Sequence, residues 1–287
     1  MDEPINTEFE CSDPKIGFGF QLLRMEHVFS YKSSPDRDPF EPHCVNFFTL
    51  LLLTEGQMTH EVDFIAYKMV KGDCLFISKE QIHKFDKSPT YKGYILIFTE
   101  KFMLQHFSTS AFSKISFLSD FHLNPTLFQD FGDVGILINA LKREFSFNLG
   151  IIKEDIAAAI LTVFLLKAQL RTSHALKSFN GDYRQFLKFR NLVTSNYIQT
   201  RKANEYASFL NTTYKQLNAL CKSFTRKTVK EYIDNYVVLQ AKRLLVMSKL
   251  PIKQTAYECG FSEETNFLKF FKKVAGITPA QFREMIA

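Results

Sequence analysis

The sequence predicts an α+β protein in which a β-rich N-terminal domain is followed by an all-helical C-terminal domain. Short apolar segments separated by turns cover residues 45–98, and helical periodicity dominates after residue 100. The last hundred residues also contain an internal repeat with an offset of 50 positions. A chain of 287 residues is long enough for two domains with separate cores.

The β-rich region predicts a small barrel or sandwich. Its strand candidates are an apolar run at 45–53, a weaker segment at 62–70, and short runs at 74–78 and 94–98. Several short strands at close spacing, broken by turn residues such as Gly56 and Gly72, are typical of such a fold.

Two helices are predicted within 134–170, each with an apolar stripe at helical spacing. The stripes comprise Ile136, Ala140, Leu141 and Phe145 in one helix, and Ile152, Ile156, Ala159, Ile160, Val163 and Leu166 in the other. The pair could be core or could supply a dimer interface. The polar stretch 171–182 then predicts a linker, so the expected domains are 1–175 and 184–287, joined by 176–183.

Charge is divided unevenly between the two parts of the chain. Residues 183–287 hold 18 Lys/Arg and 7 Asp/Glu, a net charge of +11, whereas residues 1–182 hold 18 and 23, a net charge of −5. A basic domain joined to a mildly acidic one indicates a polyanion-binding module. The apolar runs are too short to span a bilayer, the five cysteines are widely spaced, and a signal pattern is lacking. We therefore expect a cytoplasmic protein without a membrane partner.

The repeat consists of a short helix, a turn and a second helix. Its apolar positions are Leu217, Leu220, Cys221 and Phe224 in the first copy, and Phe267, Phe270, Phe271 and Val274 in the second. The short helices are predicted at 205–210 and 252–259. Thr213, with Gln216, is expected to cap the second helix of the first copy, and Gly260 and Ser262 are expected to form the turn and cap of the second copy.

A long helix is predicted between the copies, beginning at the capping pair Thr228 and Glu231 and ending before Pro251. About 20 residues give a strut of roughly 30 Å, close to the ~34 Å turn of B-DNA. Such a strut could place two helices in successive major grooves. A helical bundle with no nucleic-acid role would show the same apolar stripes, but duplication, positive charge and polar outer faces favour DNA binding.

The C-terminal sequence resembles the AraC/XylS family of transcription regulators over residues 184–285. The matching segments are 251–262, Asn266-Phe267, 270–273, 276–279 and Phe282-Arg283, with 228–233 and 241–245 upstream. Arg226 stands where the family usually has Gly, and Cys221 where it usually has a large apolar residue. Residues 40–100 resemble the family's cupin-like sensor domain, through Pro42-His43, 54–56, 72–78, Ile82-His83 and 98–100, which implies a β-barrel that holds a small-molecule effector.

The resemblance implies which side chains face base edges: Lys215, Asn218 and Ala219 in the first copy, and Thr265, Asn266 and Lys269 in the second. Asn can pair with adenine and Lys with guanine, which agrees with this role, whereas Ala219 offers only a methyl contact. Lys222 and Lys272 are expected to contact phosphates, which position a protein without reading sequence.

The histidines His43, His60 and His83 do not predict a metal site. Metal-binding cupins resemble His-x-His with a Glu and a later His, and Val45 replaces the second histidine here. We therefore expect no metal, no cofactor and no catalytic site. The alternative is a cupin-fold enzyme with a helical appendage. The expected partners are double-stranded DNA, a small-molecule effector, a second copy of the chain and RNA polymerase.

Overall fold

The computed structural model describes residues 19–30, 38–87, 91–115, 127–146, 152–170, 181–248 and 250–286. The chain forms two compact units, residues 1–173 and 174–287. The first unit is built mainly from strands and the second from helices, so the α+β prediction is confirmed. None of the helices in these ranges has the length and apolar character that a membrane crossing requires.

The strands of the first unit form two antiparallel sheets. One has the order β1-β8-β3-β6-β9 and the other the order β2-β7-β4-β5. The strands are β1 (Phe20–Arg24), β2 (His43–Cys44), β3 (Phe48–Glu55), β4 (Gln57–Val62), β5 (Ile65–Val70), β6 (Cys74–Ile77), β7 (Ile82–Lys84), β8 (Lys92–Phe98) and β9 (Leu127–Phe128).

An apolar core contains buried residues from strands of both sheets. Leu51 and Leu53 from β3 share it with Met58 and Val62 from β4 and with Met69 from β5. Strand β3 is buried along Phe48–Leu53 on both of its faces, which explains why this stretch is apolar at every position except Thr49 instead of alternating apolar and polar residues.

Two strand predictions need correction. The strand predicted at 45–53 is β3, which begins at Phe48 and not at residue 45, and the segment predicted as one strand at 62–70 contains the turn of the β4–β5 hairpin. Asp63 and Phe64 form this turn with φ values of 47° and 68°. Neither glycine nor asparagine marks this turn in the sequence. The strand before it, β4, buries a histidine and a methionine between polar residues, so its apolar alternation is weak.

The helices of the first unit are α1 (Met25–Ser30), α2 (Glu100–His106), α3 (Thr109–Ile115), α4 (Asp133–Ser146) and α5 (Ile152–Leu170). The buried face of α5 is formed by Ala157, Ala158, Leu161, Phe164, Leu165 and Ala168. The stripe predicted from the sequence lies largely on another face, where Ala159 and Val163 are exposed.

The second unit consists of α6 (Gly181–Asn196), α7 (Ala203–Phe209), α8 (Tyr214–Thr225), α9 (Val229–Met247), α10 (Ile252–Glu258), α11 (Glu264–Ala275) and α12 (Pro279–Ile286). Helix α9 runs through its centre and buries the predicted stripe from Val229 to Leu245. Part of the predicted linker, residues 181–183, belongs to α6. The rest lies outside the described residues, and the domain boundary stays a prediction.

Candidate nucleic-acid interface

Two helix-turn-helix units repeat in the structure with the offset found in the sequence. Helices α8 and α11 each have 12 residues, and their first residues, Tyr214 and Glu264, are 50 positions apart. Their C-caps, Arg226 and Gly276, are also 50 apart and both adopt the left-handed conformation, with φ values of 60° and 80°. Arg226 therefore keeps the turn geometry that glycine would provide.

The first helix-turn-helix is fixed by its caps. The Thr213 hydroxyl accepts a hydrogen bond from the Gln216 backbone N–H at 3.2 Å, and the Thr213 N–H donates to the Gln216 side chain at 3.1 Å. This is the predicted capping box, which satisfies backbone donors that the first turn of a helix leaves free. Asn211, with φ of 49°, turns the chain between α7 and α8.

The cap of the second helix-turn-helix differs from the prediction. Ser262 does not cap α11, because Glu263 occupies the N-cap position, 50 residues after Thr213. The Glu263 side chain makes no cap hydrogen bond but accepts one from the Asn266 amide at 3.3 Å. Gly260 supplies the predicted left-handed turn with φ of 77°.

Helix α9 connects the two units. Its 19 residues correspond to a length of about 28 Å. It begins with the predicted capping box, in which the Thr228 backbone N–H donates to the Glu231 carboxylate at 2.7 Å. This hydrogen bond lowers the pKa of Glu231, so the carboxylate stays charged at the positive end of the helix dipole.

An arginine that the sequence analysis did not identify stabilises the second helix-turn-helix. Arg201 donates to the Gly260 carbonyl at 3.1 Å, and its guanidinium lies 3.7 Å from the centre of the Phe261 ring. These contacts join the segment after α6 to the turn before α11. The sequence signal was weak, because an arginine between helices in a basic domain is usually read as a DNA contact.

Most of the predicted DNA-contacting side chains are exposed. Those on α8 are Lys215, Ala219 and Lys222, and those on α11 are Thr265, Asn266, Lys269 and Lys272.

Asn218 is the exception among the predicted contacts. It is half-buried, and its Oδ1 accepts a hydrogen bond from the Val229 backbone N–H at 3.1 Å. Its carboxamide oxygen is therefore engaged with the start of α9. Arg226, Lys227 and Lys273 are also exposed at the C-terminal ends of the two helices, where phosphate contacts need only charge and reach.

In the first compact unit, residues 1–173, three histidines that are far apart in the sequence lie together on one sheet. His43 and His83 are paired across β2 and β7 with ring centres 4.2 Å apart, and the His60 ring on β4 is 5.3 Å from that of His83. Burial lowers the pKa of His60 to about 3 and that of His83 well below its usual value. Among the described residues, no cluster of three or more His, Cys, Asp or Glu side chains has an arrangement that could hold a metal ion.

The outward faces of α4 and α5 form an apolar groove of about 330 Å³. Ile136 and Val163 at its surface are 68% and 56% exposed. The groove is lined by Ile136, Leu137, Ala140, Ala159, Ile160, Val163, Phe164 and Lys167. Several of these are the stripe residues of the sequence, so part of the predicted stripes faces outward instead of into the core.

Comparison with known proteins matches both units to family models. The model of a helix-turn-helix domain covers residues 206–285, and the model of the AraC-like ligand binding domain covers residues 28–138. The chain belongs to the AraC family of transcription regulators. This AraC-family regulator thus combines a DNA-binding helix-turn-helix domain with a domain of the ligand-binding type, as the sequence predicted.

Its relatives are named as regulators of transcription. The activator RhaS of Pectobacterium atrosepticum is 24% identical over 263 residues, covering 85% of this chain and 88% of that protein. The Msm operon regulatory protein of Streptococcus mutans is 28% identical over 114 residues, 40% of this chain and 41% of that protein. These relatives confirm the expectation of a regulator instead of an enzyme.

Among solved structures, the chain is similar to ToxT from Vibrio cholerae. The two share 16% identity, and the match covers 94% of this chain and 98% of that chain with a TM-score of 0.47.

Proposed function

We propose that this AraC-family regulator places α8 and α11 in two successive major grooves of one DNA duplex. The observation that carries the proposal is the matched pair of helices, each with exposed lysines on its outer face, joined by a strut of about 28 Å. Successive major grooves on one side of B-DNA are separated by ~34 Å, so the strut is of the required order.

The eight predicted side chains are the proposed contacts. Lys215 and Lys269 can donate to guanine, Thr265 and Asn266 can donate and accept, and Ala219 can contact a thymine methyl group. Lys222 and Lys272 follow the buried residues Cys221 and Phe271 and are placed to reach phosphates. Asn218 can contribute its amide N–H groups while its oxygen stays bonded to Val229.

Salt dependence of binding by the full chain tests this proposal. With DNA from upstream of its own gene, the logarithm of the binding constant should fall linearly with the logarithm of salt concentration, because each lysine or arginine contact releases counterions. Binding that is insensitive to salt, or no binding to any duplex at 50–100 mM salt, would contradict the proposal.

We also propose that a small organic effector, bound by the N-terminal compact unit, controls DNA binding. The match to the ligand-binding family model supports this role. An effector that binds one DNA-binding arrangement better than another shifts the population toward it, and operator DNA must change effector affinity by the same factor. Calorimetry of the full chain against metabolite fractions, with and without operator DNA, measures both effects. Equal heats with and without DNA would refute the coupling.

The remaining partners follow from the same family role. RhaS is named a transcriptional activator, and an activator of this kind would act on RNA polymerase at the promoter. The apolar groove between α4 and α5 supports a homodimer. A run-off transcription assay with purified polymerase tests activation, because an activator raises transcript yield only when its operator is present.

A further inference from the structure

The two recognition helices present unequal chemistry at equivalent positions. Since α8 and α11 begin and end 50 residues apart, Lys215 corresponds to Thr265, Asn218 to Leu268, and Ala219 to Lys269. By the same offset, Asn266 corresponds to Gln216, which belongs to the capping box of the first unit. The structure therefore allows the base-facing positions of the two helices to be compared directly.

On α8, few groups are available to read bases. Ala219 can offer only a methyl group, and the oxygen of Asn218 is occupied by the Val229 backbone N–H at 3.1 Å. An asparagine reads adenine by donating and accepting together, so the loss of its acceptor removes that pairing. Lys215 is the exposed base-facing side chain that keeps its full hydrogen-bonding capacity.

On α11, the corresponding positions are better suited to base recognition. Thr265 and Lys269 are both exposed, one turn apart, on the same face of the helix. Half-buried Leu268 lies beside Lys269, where an apolar side chain can meet a thymine methyl group. This face therefore combines a hydroxyl, a cation and an apolar contact.

Positive charge is larger around α8, the helix with fewer base-reading groups, than around α11. Residues 202–227 hold five Lys/Arg and one Glu, a net charge of +4, whereas the equivalent residues 252–277 hold four Lys and three Glu, a net charge of +1. Glu263 and Glu264 stand at the N-terminus of α11, the end of a recognition helix that enters the groove. Their carboxylates repel phosphates, so a misplaced α11 gains little from the DNA backbone.

We propose that the two helix-turn-helix units divide the work of recognition. The first helix-turn-helix binds the DNA backbone with little base preference. The second helix-turn-helix selects the sequence, with Lys269 as its principal specificity-determining residue. The inference rests on the proposed entry of both helices into DNA, and it adds which of them reads the bases.

The test compares Lys215→Ala with Lys269→Ala in the full chain, using selection from a DNA library in which every position of the binding site is varied. Lys269→Ala should lower discrimination about tenfold at one or two base pairs. Lys215→Ala should weaken binding to all sequences, reduce the salt slope by about 1, and change base preference less than Lys269→Ala does. Lys222→Ala and Lys272→Ala form a matched control pair, since loss of a phosphate contact should weaken binding to all sequences with base preference unchanged.

The outcomes separate the inference from the function on which it rests. If wild-type protein binds no DNA, the proposed function fails. If it binds, and Lys215→Ala relaxes base preference as much as Lys269→Ala or more, the division of work is overturned. All four lysines are exposed, and unchanged circular dichroism and thermal unfolding of each variant will confirm that its effect arises at the DNA.

Discussion

At the scale of single residues, Arg226 carries backbone strain that its counterpart Gly276 avoids. A side chain in the left-handed conformation costs roughly 1–2 kcal/mol, and Arg226 has φ of 60°. Arg226→Gly should therefore raise the free energy of unfolding by about 1 kcal/mol, after allowance for the greater freedom of the unfolded chain. Urea unfolding measures the change. Arg226→Ala removes the same charge but keeps the strain, and a gain equal to that of Arg226→Gly would show that charge is responsible.

Gly260 and Gly276 share a left-handed backbone but differ in the space around them. A Cβ on Gly260 would lie within clashing distance of the Ile198 carbonyl, whereas a Cβ on Gly276 would meet nothing within 4 Å. We expect Gly276→Ala to cost about 1 kcal/mol from backbone strain alone. Gly260→Ala should cost several times more, because the turn must move away from Ile198 and from Arg201.

Thermal unfolding and DNA affinity of the two glycine variants provide the measurement. Gly260→Ala should also lower DNA affinity, because it displaces α11 relative to α9, while Gly276→Ala should leave affinity close to wild type. Equal destabilisation by the two substitutions would contradict the close packing of Gly260.

At the scale of elements, the histidines on β2, β4 and β7 make the stability of the first unit depend on pH. Burial lowers the folded-state pKa of His60 to about 3, and burial together with neighbouring histidines lowers that of His83. An unfolded histidine titrates near 6.5. The unfolded chain therefore binds more protons below pH 6.5, and stability falls as pH decreases from 6.5 toward the folded-state pKa.

Each buried histidine should contribute a slope of about 1.4 kcal/mol per pH unit over this range. Urea unfolding at pH 7.5, 6.0 and 5.0 tests the slope by circular dichroism. His60→Phe removes one titrating group in a ring of similar shape and should make the dependence shallower by that amount. The same slope in wild type and His60→Phe would show that His60 is solvated or protonated in the folded protein.

At the scale of the whole molecule, the groove between α4 and α5 predicts self-association. Val163→Asp should yield monomers that remain folded, because Val163 is 56% exposed and its substitution charges the surface, not the core. Sedimentation equilibrium measures the association state. Leu161 on the buried face of the same helix provides the contrast, since Leu161→Asp should unfold the unit. A wild-type protein that remains monomeric at high concentration would exclude this interface.

Much of the second unit could be predicted from the sequence. The capping pairs at Thr213 and Thr228, the stripe of α9 and the 50-residue repeat all appear in the structure as expected. These signals are local, because a cap or a stripe depends on residues within a few turns of one helix. The N-cap of α11 was predicted at Ser262, one residue before its position at Glu263. Serine is a preferred N-cap residue and glutamate is not, so residue type favoured Ser262. The position of Glu263 follows instead from the repeat, because it lies 50 residues after Thr213.

The sequence by itself determined the two-domain order, the helix-turn-helix repeat and the basic character of the C-terminal unit. Only the tertiary structure decided which face of α5 is buried, that three histidines from separate strands meet, and that Asn218 is held by the start of α9. The physical reason is that periodicity shows that a face is apolar, but not which distant segment covers it. Burial and hydrogen-bond partners are fixed by contacts between residues far apart in the chain, and those contacts exist only once the units have folded.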